Sequence, residues 1–202
     1  MRMNQFIPKQ FLPLHGKMIV LHSFETLLAC PYISEIVIVC EADYRSYFTC
    51  LTKPLKFALP GERRQNSVYN GLQCISETAE LVCIHDSARP FLLADDVLRV
   101  IEEAKTHGAA VLGSPVKNTL KEGDGSSFIK RTIDRSPLWE VYTPQVMTPT
   151  LLRQGYAIAH AHNHAVTDDV SLVELTGHPV KLVHGSSKNS KITTPEDLVT
   201  HE

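Results

Sequence analysis

Three groups of side chains in this sequence have the chemistry of anion recognition. The first is N-terminal, where Arg2 and Lys9 stand on either side of a turn that contains Pro8. Pro8 fixes its own φ and pushes Ile7 towards an extended conformation. That holds a cationic loop open and aims Lys9 at an anion; a solvated terminus is the alternative. The second is Pro60-Gly61-Glu62-Arg63-Arg64-Gln65-Asn66-Ser67, a glycine turn, two arginines and a serine leading into a helix. Backbone N–H groups and a positive helix end suit a phosphate or nucleotide there, and an ordinary connection with solvated arginines fits equally well. The third is His85-Asp86-Ser87-Ala88-Arg89-Pro90, placed directly after a short apolar run. In open α/β sheets ligands bind outside the carboxyl ends of strands. The structural alternative is Asp86 capping a turn and pairing with Arg89.

A fourth group, His160, His162 and His164, has metal-ligand residue types. Its alternate spacing suits a strand rather than the helix end on which it falls, and no carboxylate follows in place. No metal ligand is therefore assigned in this sequence.

These groups sit in a chain of 202 residues, 43% hydrophobic and 21% charged, ordinary values for one large globular domain. The net charge of −2 provides no basic field for nucleic acid. No apolar run approaches the length of a membrane span, and no leader with the composition of a targeting segment opens the sequence. Neither nucleic acid nor membrane is expected as a partner. The five cysteines, Cys30, Cys40, Cys50, Cys74 and Cys83, are odd in number and have no close-spaced pair. This argues against a zinc cage and a disulfide framework, and for a reducing, cytoplasmic setting.

The elements that must hold the polar groups are legible in the apolar pattern. Helical spacing over residues 18–30 ends at Pro31. A β-branched run at 35–40 suits a strand buried on both faces. Asp43 is expected to cap a short helix, 57–59 is a weaker strand, and Val68, Leu72 and Ile75 mark the next helix. A strand at 81–84, a helix at 94–105 and a strand at 109–112 continue the alternation. The order predicts an α/β, doubly wound, mostly parallel sheet without its opening strand. Residues 119–122 and 128–133 flank Asp124-Gly125 as a hairpin, which is marginal alone and calls for a surface such as a second subunit. A helix over 148–161 follows. Thr167-Asp168-Asp169 is expected to cap the next helix and to place acids in its first turn. A strand at 180–183 comes next, then a strand end at 188–192 leading to a helix that starts at Pro195. This is a single domain, residues 1–202, with a hairpin insertion at 117–135.

Taken together these pieces match a known family. They are Arg2-Met3 with Pro8-Lys9-Gln10-Phe11-Leu12, Gly16-Lys17, Gly61 through Arg64, Ser67-Val68 and Gly71-Leu72. They continue with His85 through Pro90, Pro115-Val116, Asn118-Thr119, Asp134-Arg135 and Leu138-Trp139. The last are Thr143-Pro144-Gln145, Thr167-Asp168-Asp169, Lys191-Ile192-Thr193 and Pro195-Glu196-Asp197-Leu198. In this order and spacing the sequence resembles the 2-C-methyl-D-erythritol 4-phosphate cytidylyltransferase family over essentially its whole length. The resemblance implies a Rossmann-like nucleotidyltransferase fold in three layers and a homodimer clasped by protruding β-hairpin arms. It implies CTP and a sugar-alcohol phosphate as substrates, and magnesium bound mainly through the CTP phosphates.

The resemblance also implies roles. Lys9 and Lys191 would flank the α-phosphate and Arg2 would hold the triphosphate. Gly61, Arg64, Ser67 and Ser87 would line the cytidine pocket. Asp86, Arg89, Thr143, Thr167 and Lys191 would surround the sugar phosphate, with Thr119 and Arg135 reaching it from the partner's arm. The attacking group is already an anionic phosphate oxygen, so no general base is needed. Catalysis would rest on positioning and on charge stabilisation at phosphorus. Two alternatives stand beside this reading: the sister ribitol 5-phosphate cytidylyltransferases, and a non-catalytic nucleotide-binding dimer. In one respect the sequence departs from the family, whose chains open with a strand and an Ala-Ala-Gly-x-Gly loop before the Arg-Met pair. The sequence begins at that pair, and the expectation is a longer native protein. Three or four buried side chains, worth roughly 1.5–3 kcal/mol each, would otherwise be lost.

Overall fold

The computed structural model of the chain describes residues 7–50, 52–164 and 166–200; Arg2 lies outside them. A 3-10 turn at Lys9–Phe11 precedes two short antiparallel strands, β1 (Pro13–Leu14) and β2 (Lys17–Met18). His15 and Gly16 between them hold φ of 50° and 75°, as a two-residue hairpin turn requires. Helix α1 (Ile19–Ala29) stops just before Pro31, which cannot continue a helix. β3 (Ile36–Val39) and β4 (Leu55–Ala58) form a separate parallel pair. The 3-10 helix between them, Ala42–Tyr47, begins after Glu41 with no side-chain capping bond. Asp43 thus lies inside its first turn and does not cap it. α2 (Arg64–Leu72) ends short of Ile75, because the chain beyond is drawn to Glu35, whose carboxylate accepts the Ser76 N–H at 2.6 Å.

The main body follows. β5 (Val82–Ile84) leads through the His85–Pro90 turn to α3 (Ala94–His107), which closes on Gly108 at φ 79°, a left-handed helix end. Next come β6 (Ala109–Pro115) and the hairpin β7 (Leu120–Gly123) and β8 (Ile129–Ile133). β9 (Trp139–Met147), α4 (Pro149–Ala161), α5 (Val170–Glu174), β10 (Lys181–His184) and α6 (Pro195–Thr200) complete the order. The four-stranded sheet runs β10-β6-β9-β5. β10 and β6 are parallel, and β9 runs antiparallel to both β6 and β5.

Alternation along β6 creates the three layers. Ala110 and Leu112 face Val97, Val100, Ile101 and Ala104 of α3. Ala109 and Val111 face the other way, to Leu152 and Tyr156 of α4 and to Val170, Leu172 and Val173 of α5. A strand so placed must be apolar on both faces. α4 and α5 meet at Gly155, where a Cβ would stand 2.2 Å from the Leu172 carbonyl oxygen. The hairpin turn is held by Asp124, whose Oδ1 accepts from the N–H groups of Ser126 at 2.8 Å and Phe128 at 3.2 Å.

Two features of this body have no counterpart in the sequence pattern. β9 is a nine-residue strand, and its Pro144 and its polar residues hide it from a period-two reading. It is also bulged: Val111 pairs with Gln145 and Leu112 with Tyr142, so Thr143 and Pro144 have no partner on β6. In addition, residues 188–192 form a loop and not a strand end, held by the Asn189 and Ile192 contacts described below.

Candidate active site

The bulge in β9 and the end of β5 lie side by side, and the site grows from that junction. Beyond Ile84 the ladder stops. The Asp86 N–H, which a longer strand would give to a carbonyl, goes to Thr143 Oγ1 at 3.0 Å. The turn closes with the Arg89 N–H on the Asp86 carbonyl oxygen at 3.0 Å. The Asp86 carboxylate is thereby fixed at the carboxyl end of a strand with cations converging on it. Arg64 Nε donates to Oδ1 at 2.7 Å, Lys191 Nζ to Oδ2 at 2.8 Å, and Arg89 Nε lies 3.5 Å from Oδ2. Arg64 also donates two bonds, at 3.1 and 2.7 Å, to the deeply buried Asp169, the strong fork-to-carboxylate geometry.

The charges respond to this packing. Burial works to raise the Asp86 carboxyl, but Arg64 and Lys191 outweigh it and hold it well below the usual carboxylate range. Burial likewise opposes the Arg64 charge, and Asp169 and Asp86 outweigh it, so the guanidinium is held more firmly protonated. For Asp169 burial wins over Arg64 and raises the carboxyl. Burial lowers Arg89 against the pull of Asp86. Three cations are thus ion-paired to two carboxylates, Asp86 and Asp169, in one cluster.

Lys191 reaches this cluster from the loop after β10. Asn189, buried, donates from Nδ2 to the Thr143 carbonyl oxygen at 2.7 Å and accepts Arg89 Nη1 on its backbone oxygen at 2.8 Å. The Ile192 N–H bonds the Ala88 oxygen at 2.9 Å. Ile192 also packs with Leu14 and Ile19, and with Leu12 and Phe91. The segment after Lys9 and the segment after Lys191 therefore share one small core.

The remaining expected residues are distributed as follows. The Gly61 N–H donates to Ser67 Oγ at 3.0 Å, and a Cβ on Gly61 would lie 2.3 Å from Asn66 Cβ, so this turn accepts only glycine. Ser87 lies in the turn after Asp86. Thr143 is buried, with its hydroxyl committed to Asp86 N and His85 Nδ1. Thr167 is exposed on a cleft of about 230 Å³ that Arg63, Arg64, Gln65, Asp168 and Asp169 also line. Thr119 and Arg135 stand exposed at the root of the arm, and Arg135 donates to the Lys117 carbonyl oxygen. Within the chain these two do not join the Asp86 cluster.

Sequence reasoning missed Asp169, Gln145 and Asn189 as parts of the site. Gln145 is 2% exposed. Its Oε1 accepts the N–H groups of Asp169 and Val170, both at 2.9 Å, and its Nε2 donates to Asp168 at 3.0 Å. Capping of α5 falls to Asp168, whose Oδ1 accepts the Ser171 N–H at 3.1 Å. The first turn of α5 carries no acid, because both aspartates precede it. The available signals were an amide side chain inside an apolar strand end and a doubled Asp at a helix start.

Among the described residues no three carboxylate, imidazole or thiol groups surround a common point, and both Asp86 oxygens already hold cations. Such a donor set does not cage a divalent ion.

The family model described as 2-C-methyl-D-erythritol 4-phosphate cytidylyltransferase matches residues 1–202. The chloroplastic protein of that name from Oryza sativa subsp. japonica is 51% identical over 100% of this chain and 69% of its own length. The one from Chlamydia pneumoniae is 41% identical over 98% of this chain and 90% of its own. The crystal structure of the Thermus thermophilus enzyme of the same name superposes with a TM-score of 0.82 at 33% identity, covering 96% of this chain and 91% of that one. With the whole chain matched and relatives this similar, the conclusion is direct: the chain belongs to the 2-C-methyl-D-erythritol 4-phosphate cytidylyltransferase family.

Proposed function

We propose that this chain performs its family's transfer of CMP from CTP to 2-C-methyl-D-erythritol 4-phosphate by positioning and charge stabilisation alone. The protein is a nucleotidyltransferase of the methylerythritol phosphate route, and the matched family favours this acceptor over ribitol 5-phosphate. The observation that carries the mechanism is the cationic cluster on Asp86, formed by Arg64, Arg89 and Lys191.

The phosphate oxygen of the acceptor attacks the α-phosphorus of CTP in line, and the bond to the pyrophosphate oxygen breaks. Negative charge concentrates at the phosphorus as this happens, and fixed cations lower the barrier because they need no reorganisation. In this reading Lys9 and Lys191 flank the α-phosphate and Arg2 holds the triphosphate. Gly61, Arg64, Ser67 and Ser87 form the cytidine side, where the small residues let backbone reach the base. Asp86, Arg89, Thr143, Thr167 and Lys191 form the sugar-phosphate side. Thr143 acts there through the turn it anchors, since its hydroxyl is already committed. When bound, magnesium offsets triphosphate charge; it is carried by CTP's own phosphate oxygens, and no described side chain is assigned to it.

The active form is read as a homodimer in which each arm, residues 117–135, gives Thr119 and Arg135 to the partner's site. Support comes from the arm tip, where Phe128 is 74% and Ile129 67% exposed. Five free thiols support a reducing, cytoplasmic setting, and no helix among the described residues is long and apolar enough to cross a membrane.

Pyrophosphate release, measured with each acceptor, tests the reading. Release with 2-C-methyl-D-erythritol 4-phosphate is expected. Release only with ribitol 5-phosphate would replace the substrate, and none with either would favour the binding-only alternative. Lys191→Ala should lower kcat/KM about 10²–10³-fold, as loss of a charge-stabilising donor does. Arg135→Ala should raise KM for the sugar phosphate far more than KM for CTP; equal effects would remove the arm from the site.

A further inference from the structure

We propose that His85 is a positioning residue for the sugar-phosphate side, a neutral imidazole with its hydrogen on Nε2 that ties the Asp86–Arg89 turn to Thr143. The inference rests on the reading that Asp86 and Arg89 bind the sugar phosphate.

His85 is the first residue beyond β5, and the proposed mechanism leaves it unused. The residue keeps some solvent exposure, but both ring nitrogens are turned to protein partners. Nε2 lies 3.1 Å from the Arg89 carbonyl oxygen, and Nδ1 lies 3.1 Å from Thr143 Oγ1. The chemistry of the partners assigns the tautomer. A carbonyl only accepts, so Nε2 carries the hydrogen. The Asp86 N–H only donates, and it occupies an acceptor position on Thr143 Oγ1. That hydroxyl is then free to give its own hydrogen to Nδ1. The result is a chain of one polarity, from Asp86 N–H to Thr143 Oγ1, from Thr143 to Nδ1, and from Nε2 to the Arg89 carbonyl.

This ring holds both ends of the turn that carries Asp86 and Arg89 and anchors them to the bulge of β9. It has no free nitrogen for the reacting atoms, so it acts through the residues it holds. Asp86 and Arg89, the charged groups facing it, act on it in opposite directions, and desolvation pushes its pKa down to about 4. An imidazolium could not accept from Thr143, and the neutral ring keeps the chain intact.

The test compares His85→Phe, His85→Gln and Arg89→Ala in steady-state kinetics with both substrates varied. His85→Phe keeps a flat ring and removes both bonds. It should raise KM for the sugar phosphate about tenfold, the scale of one or two neutral hydrogen bonds. KM for CTP should move less than about threefold by the same reasoning. His85→Gln, which again offers a donor to the Arg89 carbonyl, should recover part of the loss. A rise shared equally by both substrates, or no recovery with Gln, would mark His85 as a packing residue and overturn the proposal. If Arg89→Ala leaves KM for the sugar phosphate unchanged, the reading of the site fails. If Arg89→Ala raises it and His85→Phe does not, the proposal alone fails. Nitrogen-15 NMR of the unaltered protein gives a check that needs no variant to fold. The His85 ring should show a protonated Nε2 and a bare Nδ1 at neutral pH, and the opposite tautomer or an imidazolium would overturn the assignment.

Discussion

Asp86→Asn isolates the electrostatics of the site with almost no change in shape. The parent carboxylate takes a bond from Arg64 at 2.7 Å and another from Lys191 at 2.8 Å. Hydrogen bonds to charged groups are worth about 1.5–3 kcal/mol each. Two effects reduce the loss. The Asn oxygen still accepts one bond. The Arg64 and Lys191 side chains are 37% and 34% exposed, so water recovers part of their solvation. The net destabilisation should be about 2–3 kcal/mol, or about 4–12 °C in Tm for a chain of this size. Urea unfolding of Asp86→Asn, Lys191→Met and the double variant measures the pairwise part, which should reach about 1 kcal/mol or more. The variant also keeps the Arg64–Asp169 pair but removes the carboxylate that Arg89 and Lys191 share, so inorganic pyrophosphate should raise its Tm more than it raises the parent's. Additivity of the two substitutions within about 0.5 kcal/mol, or a variant as stable as the parent without added anion, would refute the picture of Asp86 as the counter-charge of this cluster.

Three further outcomes follow from the packing. The Asp86 carboxyl is depressed by Arg64 and Lys191 against its burial, so its stabilisation is fully present above the unfolded value near pH 4 and is lost as the pH falls further. Acid titration of unfolding free energy should therefore be steeper for the parent than for Asp86→Asn below about pH 4. Gly155→Ala would set a Cβ 2.2 Å from the Leu172 oxygen; it should cost about 1–3 kcal/mol by overpacking, read as a lower Tm, and an unchanged Tm would mean that α4 and α5 separate easily. Gln145→Leu leaves the Asp169 and Val170 N–H groups without the Oε1 acceptor and should cost about 2–4 kcal/mol, with hydrogen exchange at those two amides faster than in the parent.

What could be read from the sequence was what is local. The faces of α1, α3 and α4 follow helical spacing, and β3 and β6 are β-branched or small apolar runs, because each element is buried by its own pattern. The cations and Asp86 were legible as types, since they follow strand ends. Their mutual arrangement was not. Arg64 and Asp169 stand 105 positions apart in the chain, and Asn189 and Thr143 stand 46 apart, and no periodicity links such pairs. β9 escaped because its buried residues include Thr143 and Gln145, which satisfy their polar groups through distant partners and so break the apolar alternation that marks a strand. The arm was visible as a hairpin, yet nothing in a single chain states what Arg135 touches.

The bulge of β9 has one more consequence, which concerns length. Thr143 and Pro144 stand opposite no residue of β6, and two is the side-chain period of a strand. An unpaired pair therefore leaves the inward and outward faces unchanged on both sides of it. Tyr142 and Val146 still face the same core, and Trp139 to Tyr142 keep step with Pro115 to Leu112 of β6. The two extra residues are therefore slack beside the ladder and add nothing to its length. The strand that anchors Thr143 is also the one that receives the chain from the arm, yet the arm's root is set by the pairing of Trp139 with Pro115. Removing the dipeptide would give a smoother sheet with its faces and the reach of the arm intact, and would take from the site the hydroxyl that holds the Asp86 N–H. The chemistry of the site and the projection of the arm are thus separable at this point of the strand.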